Sequence, residues 1–126
     1  MVGVVIVSHS EKLALGVADV TRIMADGCPV ATAGGNDDGG YGTSYEKIKN
    51  AILSVYSGDG AVVLMDMGSA VMTAEMVIEE LGYTDVLMVD CPIAEGAIAA
   101  TLSAFTGDSL EEVKAAALSA KTEAKW

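Results

Sequence analysis

Basic and aromatic residues are scarce in this sequence, and each scarcity narrows the classes of protein that it can encode. Only 7 Lys and Arg residues stand against 18 Asp and Glu residues, which gives a formal net charge of −11. A surface of that sign repels nucleic acid and anionic membranes, so we expect neither as a partner and favour a protein with a basic face. Because 52% of the chain is hydrophobic and 5% is aromatic, the core should consist of Val, Ile, Leu, Ala and Met.

Cysteine and histidine are also rare, which limits disulfide and metal chemistry. Two cysteines, Cys28 and Cys91, are too few for a disulfide scaffold. The topology predicted below places them at opposite ends of a sheet, so we interpret them as ordinary thiols. His9 is the single histidine of the chain, and together with two separated cysteines it offers no zinc site. We expect no bound metal.

Long apolar runs are missing as well. No uncharged stretch approaches the roughly 20 residues of a membrane span. The first apolar run lacks a basic leader and is shorter than the core of a signal peptide, so we expect a cytoplasmic protein. The 126 residues are predicted to form a single domain, 1–126, which is long enough to bury one hydrophobic core.

The chain begins with an apolar run that predicts a strand. Residues 2–7 are rich in β-branched side chains, which indicates a strand buried on both faces and ending at Ser8. From Glu11 the spacing becomes helical, and the face that we expect to be buried consists of Leu13, Val17, Val20 and Met24. Ser8 and Glu11 fit a capping box, which would place His9 in the first helical turn, against unpaired amide groups.

Strand and helix patterns then alternate to the end of the chain. The further strands are predicted at 28–33, 61–65 and 85–89. Four further helices are predicted. The first opens at Thr43 with a capping box and the second ends at about Leu81. The third spans 93–105, and the last follows a cap at Asp108 and Ser109. This alternation predicts an α/β fold with one parallel sheet, right-handed crossovers and helices on both faces. We predict a four-stranded sheet in the order 2-1-3-4.

That strand order brings three separate features to one place. His9 follows strand one and Asp66 follows strand three, each at the carboxyl end, where open α/β sheets bind ligands. The loop 34–43, which contains five glycines, lies beside them and can offer amide groups to an anion. A carboxylate next to a histidine accepts the Nδ1 proton and leaves Nε2 as a nucleophile.

Simpler readings of the same residues stay open at this point. A lone histidine is more often structural or merely exposed, and Asp66 could be a helix cap or a solvated loop acid. Most glycine-rich loops are surface connections, and loop 34–43 has neither the Gly-Lys-Ser/Thr ending of a phosphate loop nor a Gly-x-Gly-x-x-Gly motif.

The motifs at these positions resemble those of one family, the phosphotransferase subunits of dihydroxyacetone kinases that use phosphoenolpyruvate instead of ATP. The matching segments are residues 7–10, 42–43, 65–70, 95–96 and 99–101. The broader relatives are the mannose-type enzyme IIA domains of the sugar phosphotransferase system, which share the 2-1-3-4 sheet and a phosphorylated histidine. Those domains typically have Asp-Leu-x-Gly-Gly-Ser/Thr-Pro after strand three, so the shorter segment 66–70 of this chain favours the dihydroxyacetone branch.

The resemblance implies a phosphoryl relay. His9 would accept a phosphoryl group from the histidine-containing phosphocarrier protein and pass it to ADP on the nucleotide-binding kinase subunit. The resemblance implies His9 and Asp66 as the catalytic pair, with Asp66 orienting the imidazole. The candidates for phosphoryl contacts through amide or hydroxyl groups are Gly35, Thr43, Gly68 and Ser69. We expect no cofactor on this chain, with ADP or ATP and magnesium on the partner. Since the chain stops at Trp126, we expect the phosphocarrier to be a separate protein.

Two other functions stay open for this sequence, and a homodimer is predicted. The chain could be a sugar-transport enzyme IIA that donates to a transporter subunit, or a non-catalytic α/β interaction module whose His9 is incidental. A homodimer is predicted because a four-stranded sheet leaves two edges to protect and three methionines cluster near the third helix. These methionines are Met67, Met72 and Met76. The alternative is that they fill the core, where methionine is common, and form no interface.

Overall fold

Four β-strands and five α-helices make up the computed structural model, which describes residues 1–126. The strands are β1 (Gly3–Ser8), β2 (Val30–Gly34), β3 (Ala61–Met65) and β4 (Val86–Val89). The helices are α1 (Glu11–Ala25), α2 (Tyr45–Val55), α3 (Ser69–Leu81), α4 (Ile93–Phe105) and α5 (Leu110–Ser119). The bounds predicted for β3 and α4 are those observed. None of the helices combines the length and the apolar character that crossing a membrane requires.

The strands form one parallel sheet in the order β2-β1-β3-β4, which confirms the predicted α/β fold and strand order. Val7 of β1 pairs with Ala33 of β2 and with Met65 of β3. This register aligns the carboxyl ends of the three strands, so the loops that follow them lie at the same edge. That edge carries His9 and Asp66, which follow β1 and β3.

The core lies on both faces of the sheet, as the alternation of strands and helices predicted. Val4 and Ile6 face one layer, which contains residues of α1, α4 and α5. Val5 and Val7 face the other layer, which contains residues of α2 and α3. Because successive strand residues point to opposite faces, an uninterrupted apolar run is what a doubly covered strand requires.

The buried face of α1 differs from the one that we predicted. Leu13, Val20 and Met24 are 43%, 45% and 61% exposed, and Val17 is the one predicted residue that is buried. The face that packs inward carries mainly small side chains, namely Ala14, Val17, Ala18, Thr21 and Ala25. Small side chains let α1 pack closely against the sheet and α4. The rotation of α1 about its axis therefore follows from close packing, and it does not bury the largest apolar side chains of the helix.

Two strand starts were also predicted too early. β2 begins at Val30 and β4 at Val86, whereas the predictions began at Cys28 and Asp85. Pro29 has no amide proton to donate to a ladder, which explains why β2 starts after it. Cys28 and Cys91 are free thiols, as predicted, and burial raises the pKa of each to about 11.

Candidate functional site

The parallel pairing of β1 and β3 brings His9 and Asp66 into direct contact. Both residues follow the carboxyl ends of their strands, and Nδ1 of His9 lies 3.0 Å from Oδ1 of Asp66. The side chains are 23% and 13% exposed, so the pair lies at the surface but is largely screened from solvent. The sequence-based prediction that these two residues meet at one site is therefore matched by the geometry.

The Asp66 carboxylate is held by three donors. Its Oδ2 accepts hydrogen bonds from the hydroxyl of Ser8 at 2.8 Å and from the backbone amide of His9 at 3.1 Å, while Oδ1 faces the imidazole. Burial by itself raises the pKa of Asp66, but the hydrogen bonds from His9 and Ser8 outweigh it and hold that pKa below its ordinary value. Asp66 is thus an anion at neutral pH and accepts the Nδ1 proton of His9.

The second imidazole nitrogen also has a partner, which the sequence did not indicate. Nε2 of His9 lies 2.8 Å from the hydroxyl of Ser69, the first residue of α3. In the neutral imidazole whose single proton lies on Nδ1, facing the ionised Asp66, Nε2 carries the lone pair and Ser69 donates to it. Nε2 is thus hydrogen-bonded in the resting protein, and its role as the nucleophile stays a prediction.

The start of α3 supplies donors next to this pair. Gly68 occupies the N-cap position without a side-chain cap, and the amides of Met67, Gly68 and Ser69 donate no hydrogen bond within the chain. Unpaired amides at a helix start attract anions, since they carry partial positive charge and point out of the helix. The predicted residues Gly68 and Ser69 therefore lie where an anion on Nε2 would find donors.

The glycine-rich loop reaches the site but engages it through its backbone. Gly42 donates its amide to the carbonyl of His9 at 3.0 Å, and Gly35, with a φ of 75°, donates its amide to the carbonyl of Ser8 at 3.0 Å. The amide of Gly35 is thus already engaged in a hydrogen bond. The hydroxyl of Thr43 lies 3.5 Å from that of Thr73 on α3, so this loop packs against the same helix.

The helix that follows His9 is capped differently from the prediction. Ser10 is the N-cap of α1 and its hydroxyl accepts from the amide of Leu13, so the predicted Ser8 capping box is wrong and His9 lies before the helix. Ser8 remains in β1, where the ladder to Gly34 keeps it extended. Its buried hydroxyl is free to serve Asp66 instead.

Ser8 was predicted to cap α1, and the structure places its hydroxyl on Asp66 instead. Its side chain is fully buried at 0% exposure, and its contact with Asp66 spans 58 residues of sequence. A hydroxyl residue directly before a histidine at a strand end was the available signal. No group of three or more His, Cys, Asp or Glu side chains is placed to hold a metal ion.

The sequence matches a known family over most of its length. The model of the EIIA-man family, described as PTS system fructose IIA component, matches residues 3–114. A crystal structure of a protein of unknown function superposes with a TM-score of 0.85 at 26% identity, covering 100% of this chain and 99% of that one.

Two curated relatives extend this similarity. The chain is 42% identical over 120 residues to the PEP-dependent dihydroxyacetone kinase, phosphoryl donor subunit DhaM, of Escherichia coli (strain K12), covering 90% of this chain and 25% of that protein. It is 40% identical over 116 residues to the PEP-dependent dihydroxyacetone kinase 1, phosphoryl donor subunit DhaM, of Listeria innocua, covering 92% and 91%. The chain thus spans a quarter of the Escherichia coli relative and nearly all of the Listeria one. These matches confirm the resemblance that the sequence motifs indicated.

Proposed function

This chain belongs to the EIIA-man family, and from that premise we propose that it is the phosphoryl donor subunit of a phosphoenolpyruvate-dependent dihydroxyacetone kinase. In this proposal His9 accepts a phosphoryl group from a histidine-containing phosphocarrier protein and passes it to ADP bound on a nucleotide-binding kinase subunit. The observation that carries the proposal is the contact of one imidazole with both Asp66 and Ser69, in a chain 40% identical to a DhaM subunit over 91% of that subunit's length.

The proposed transfer begins with the lone pair on Nε2 of His9. The Ser69 hydroxyl swings away, Nε2 attacks the phosphorus, and the new N–P bond forms as the bond between phosphorus and the carrier's nitrogen breaks. The carrier leaves with the electron pair of the broken bond. Nδ1 keeps its proton throughout, so the phosphorylated imidazole carries a positive charge on the ring.

Asp66 acts in this scheme as a positioning residue. Its carboxylate lies 3.0 Å from Nδ1, where it fixes the tautomer and offsets the charge that the ring gains. In the onward step the phosphoryl group leaves Nε2 for the terminal oxygen of ADP, and the ring returns to the neutral form. The same carboxylate then holds His9 ready for another cycle.

The proposed phosphoryl contacts surround Nε2 from the side of α3. The unpaired amides of Gly68 and Ser69, and the Ser69 hydroxyl once it has moved, can donate to the phosphoryl oxygens. Thr43 lies on the neighbouring loop and is a further candidate through its hydroxyl. Gly35 supports the loop by its bond to Ser8 and is a weaker candidate, since its amide is already used.

We place the nucleotide and its magnesium on the partner. The sequence contains no phosphate loop, and a net charge of −11 repels a free nucleoside diphosphate. A kinase subunit that neutralises the phosphates of ADP would overcome that repulsion. In this proposal the carrier and the kinase subunit reach the same edge of His9 in turn.

The relay is tested by incubating the protein with phosphoenolpyruvate and the general phosphotransferase components. We expect one phosphoryl group per chain, stable in alkali and labile in acid, and none on His9→Ala. An acid-stable, alkali-labile product would contradict a phosphohistidine. Failure of the wild-type protein to be phosphorylated at all would favour the non-catalytic module.

The acceptor is tested with the phosphorylated protein after the carrier has been removed. We expect it to convert ADP to ATP when the nucleotide-binding subunit is present and to leave ADP in free solution untouched. Equal transfer without that subunit, or discharge to a sugar transporter subunit but never to the kinase subunit, would overturn the dihydroxyacetone assignment.

We also propose that the protein is a homodimer. Met67, Met72 and Met76 are 55%, 75% and 50% exposed, so they do not fill the core, and β4 is an open edge of the sheet. A second copy of the chain that covers these groups would shield the exposed methionines from water and protect the open edge of β4. Sedimentation should give twice the chain mass of 12.9 kDa at micromolar concentration, and a monomer would end this proposal.

A further inference from the structure

We propose that Ser8 is a positioning residue of the phosphoryl-transfer site: its buried hydroxyl holds the Asp66 carboxylate in the one orientation that presents Oδ1 to Nδ1 of His9. The effect of Ser8 on phosphoryl transfer rests on the proposed function. The geometric part of the proposal concerns the resting protein and can be tested without any partner.

The Ser8 hydroxyl has both of its hydrogen-bonding roles fixed. It donates to Oδ2 of Asp66 at 2.8 Å and accepts from the backbone amide of Ser10 at 3.0 Å. A hydroxyl has one proton, and the Ser10 amide approaches on the lone-pair side, so the proton is directed at Asp66. The paired strand fixes the backbone of Ser8 and the helix cap fixes that of Ser10, so a rotation of the Ser8 side chain about χ1 would break both hydrogen bonds at once.

The two carboxylate oxygens of Asp66 consequently have separate tasks. Oδ2 takes the Ser8 hydroxyl and the His9 amide, which leaves Oδ1 for the imidazole. Without the hydroxyl, Oδ2 keeps a single donor and the carboxylate gains freedom to rotate. Ser8 is 0% exposed, so bulk water does not reach its position to replace the lost donor.

A purely structural role for Ser8 makes a different prediction. A buried serine that merely satisfies a carboxylate affects stability, and its removal leaves the imidazole unchanged. The chain offers a matched control in Ser103, which is 8% exposed and donates its hydroxyl to Asp108 at 2.6 Å between α4 and α5. Ser103→Ala removes the same kind of bond at a place that has no contact with His9.

The first measurement is the nitrogen-15 spectrum of the imidazole, which is unambiguous because His9 is the single histidine. In the wild-type protein we expect the tautomer with its proton on Nδ1. In Ser8→Ala the ratio of this tautomer to the other should fall by roughly fivefold or more, since the Asp66 acceptor is less well placed. Ser103→Ala should give the wild-type ratio. A folded Ser8→Ala protein with the wild-type ratio would overturn the proposal.

The second measurement is the rate of phosphorylation of His9, which should fall by about three- to tenfold in Ser8→Ala and stay unchanged in Ser103→Ala. If Ser8→Ala does not fold, the isosteric pair Ser8→Thr and Ser8→Val replaces it, because only Thr retains the donor. Thr should then keep the wild-type tautomer ratio and Val should lose it; equal ratios in the two variants would overturn the proposal.

The two measurements also separate this proposal from the function on which it rests. A tautomer shift in Ser8→Ala, together with a wild-type protein that is never phosphorylated, supports the positioning role and refutes the relay. Normal phosphorylation of wild type and of Ser8→Ala at one rate, with an unchanged tautomer, refutes the positioning role and leaves the relay standing.

Discussion

The hydroxyl of Ser69 lies 2.8 Å from Nε2 of His9, although 60 residues separate them in the sequence. The nitrogen with the lone pair is therefore hydrogen-bonded in the resting protein, and in the proposed relay the hydroxyl has to move before a phosphoryl group can reach it. A serine at a helix start needs only a side-chain rotation to do so. Once moved, it can donate to the charged phosphoryl oxygens instead of the neutral ring.

Replacing Ser69 with alanine should lower the equilibrium degree of phosphorylation of His9. The hydroxyl donates to the neutral Nε2 before phosphorylation and to the charged phosphoryl oxygens after it. The substitution removes both bonds, and because the bond to the charged acceptor is the stronger one, the equilibrium constant should fall by roughly fivefold. Titration against the phosphocarrier protein measures it. Ser69→Thr, which keeps the hydroxyl, is the control, and an unchanged constant in Ser69→Ala would refute a role for this hydroxyl in the phosphorylated state.

Asp66→Asn should fold and accept a phosphoryl group slowly. An amide oxygen can still accept from Nδ1, but it carries no charge to offset the ring, so we expect a loss of about 10- to 100-fold in rate. Rapid-quench phosphorylation with a saturating carrier measures the rate, and circular dichroism checks the fold. A variant that folds and reacts at the wild-type rate would show that the carboxylate has no part in transfer.

The lowered pKa of Asp66 also predicts how stability changes in acid. Its pKa is lower in the folded than in the unfolded protein, so its contribution is complete above the unfolded value and is lost as the pH falls through the folded one. The difference in the free energy of unfolding between wild type and Asp66→Asn should therefore shrink from about pH 6 to about pH 2.5. Urea unfolding at the two pH values measures it, and a difference independent of pH would contradict the prediction.

Gly96 and Gly16 form a matched pair for a test of packing. A Cβ at Gly96 in α4 would overlap with Sγ of Cys91, so Gly96→Ala should destabilise the fold by about 1–3 kcal/mol. A Cβ at the exposed Gly16 in α1 meets nothing within 4 Å, so Gly16→Ala should stabilise the fold by about 0.5–1 kcal/mol. Chemical denaturation measures both, and equal effects of the two substitutions would contradict this account of the α4 contact.

The fold was predictable because its signals are local. The uninterrupted apolar run of β1 already implies a strand covered on both faces, and four such units imply a parallel sheet. In α2 a helical period identifies the inward face, because Ile48, Ile52 and Val55 recur at that spacing and are both large and buried. In α1 the same rule failed because small side chains face the sheet while large ones face solvent.

What the sequence by itself determined is the alternation of elements and the places of His9 and Asp66 at strand ends. Only the tertiary structure decided which groups hold them: Ser8 on Asp66, Ser69 on Nε2, and Gly42 on the His9 carbonyl. Periodicity and capping are properties of neighbouring residues, so they can be read from a short window. The partners of the imidazole, Asp66 and Ser69, lie 57 and 60 residues away in the sequence. Their positions depend on strand register and helix orientation, which packing sets.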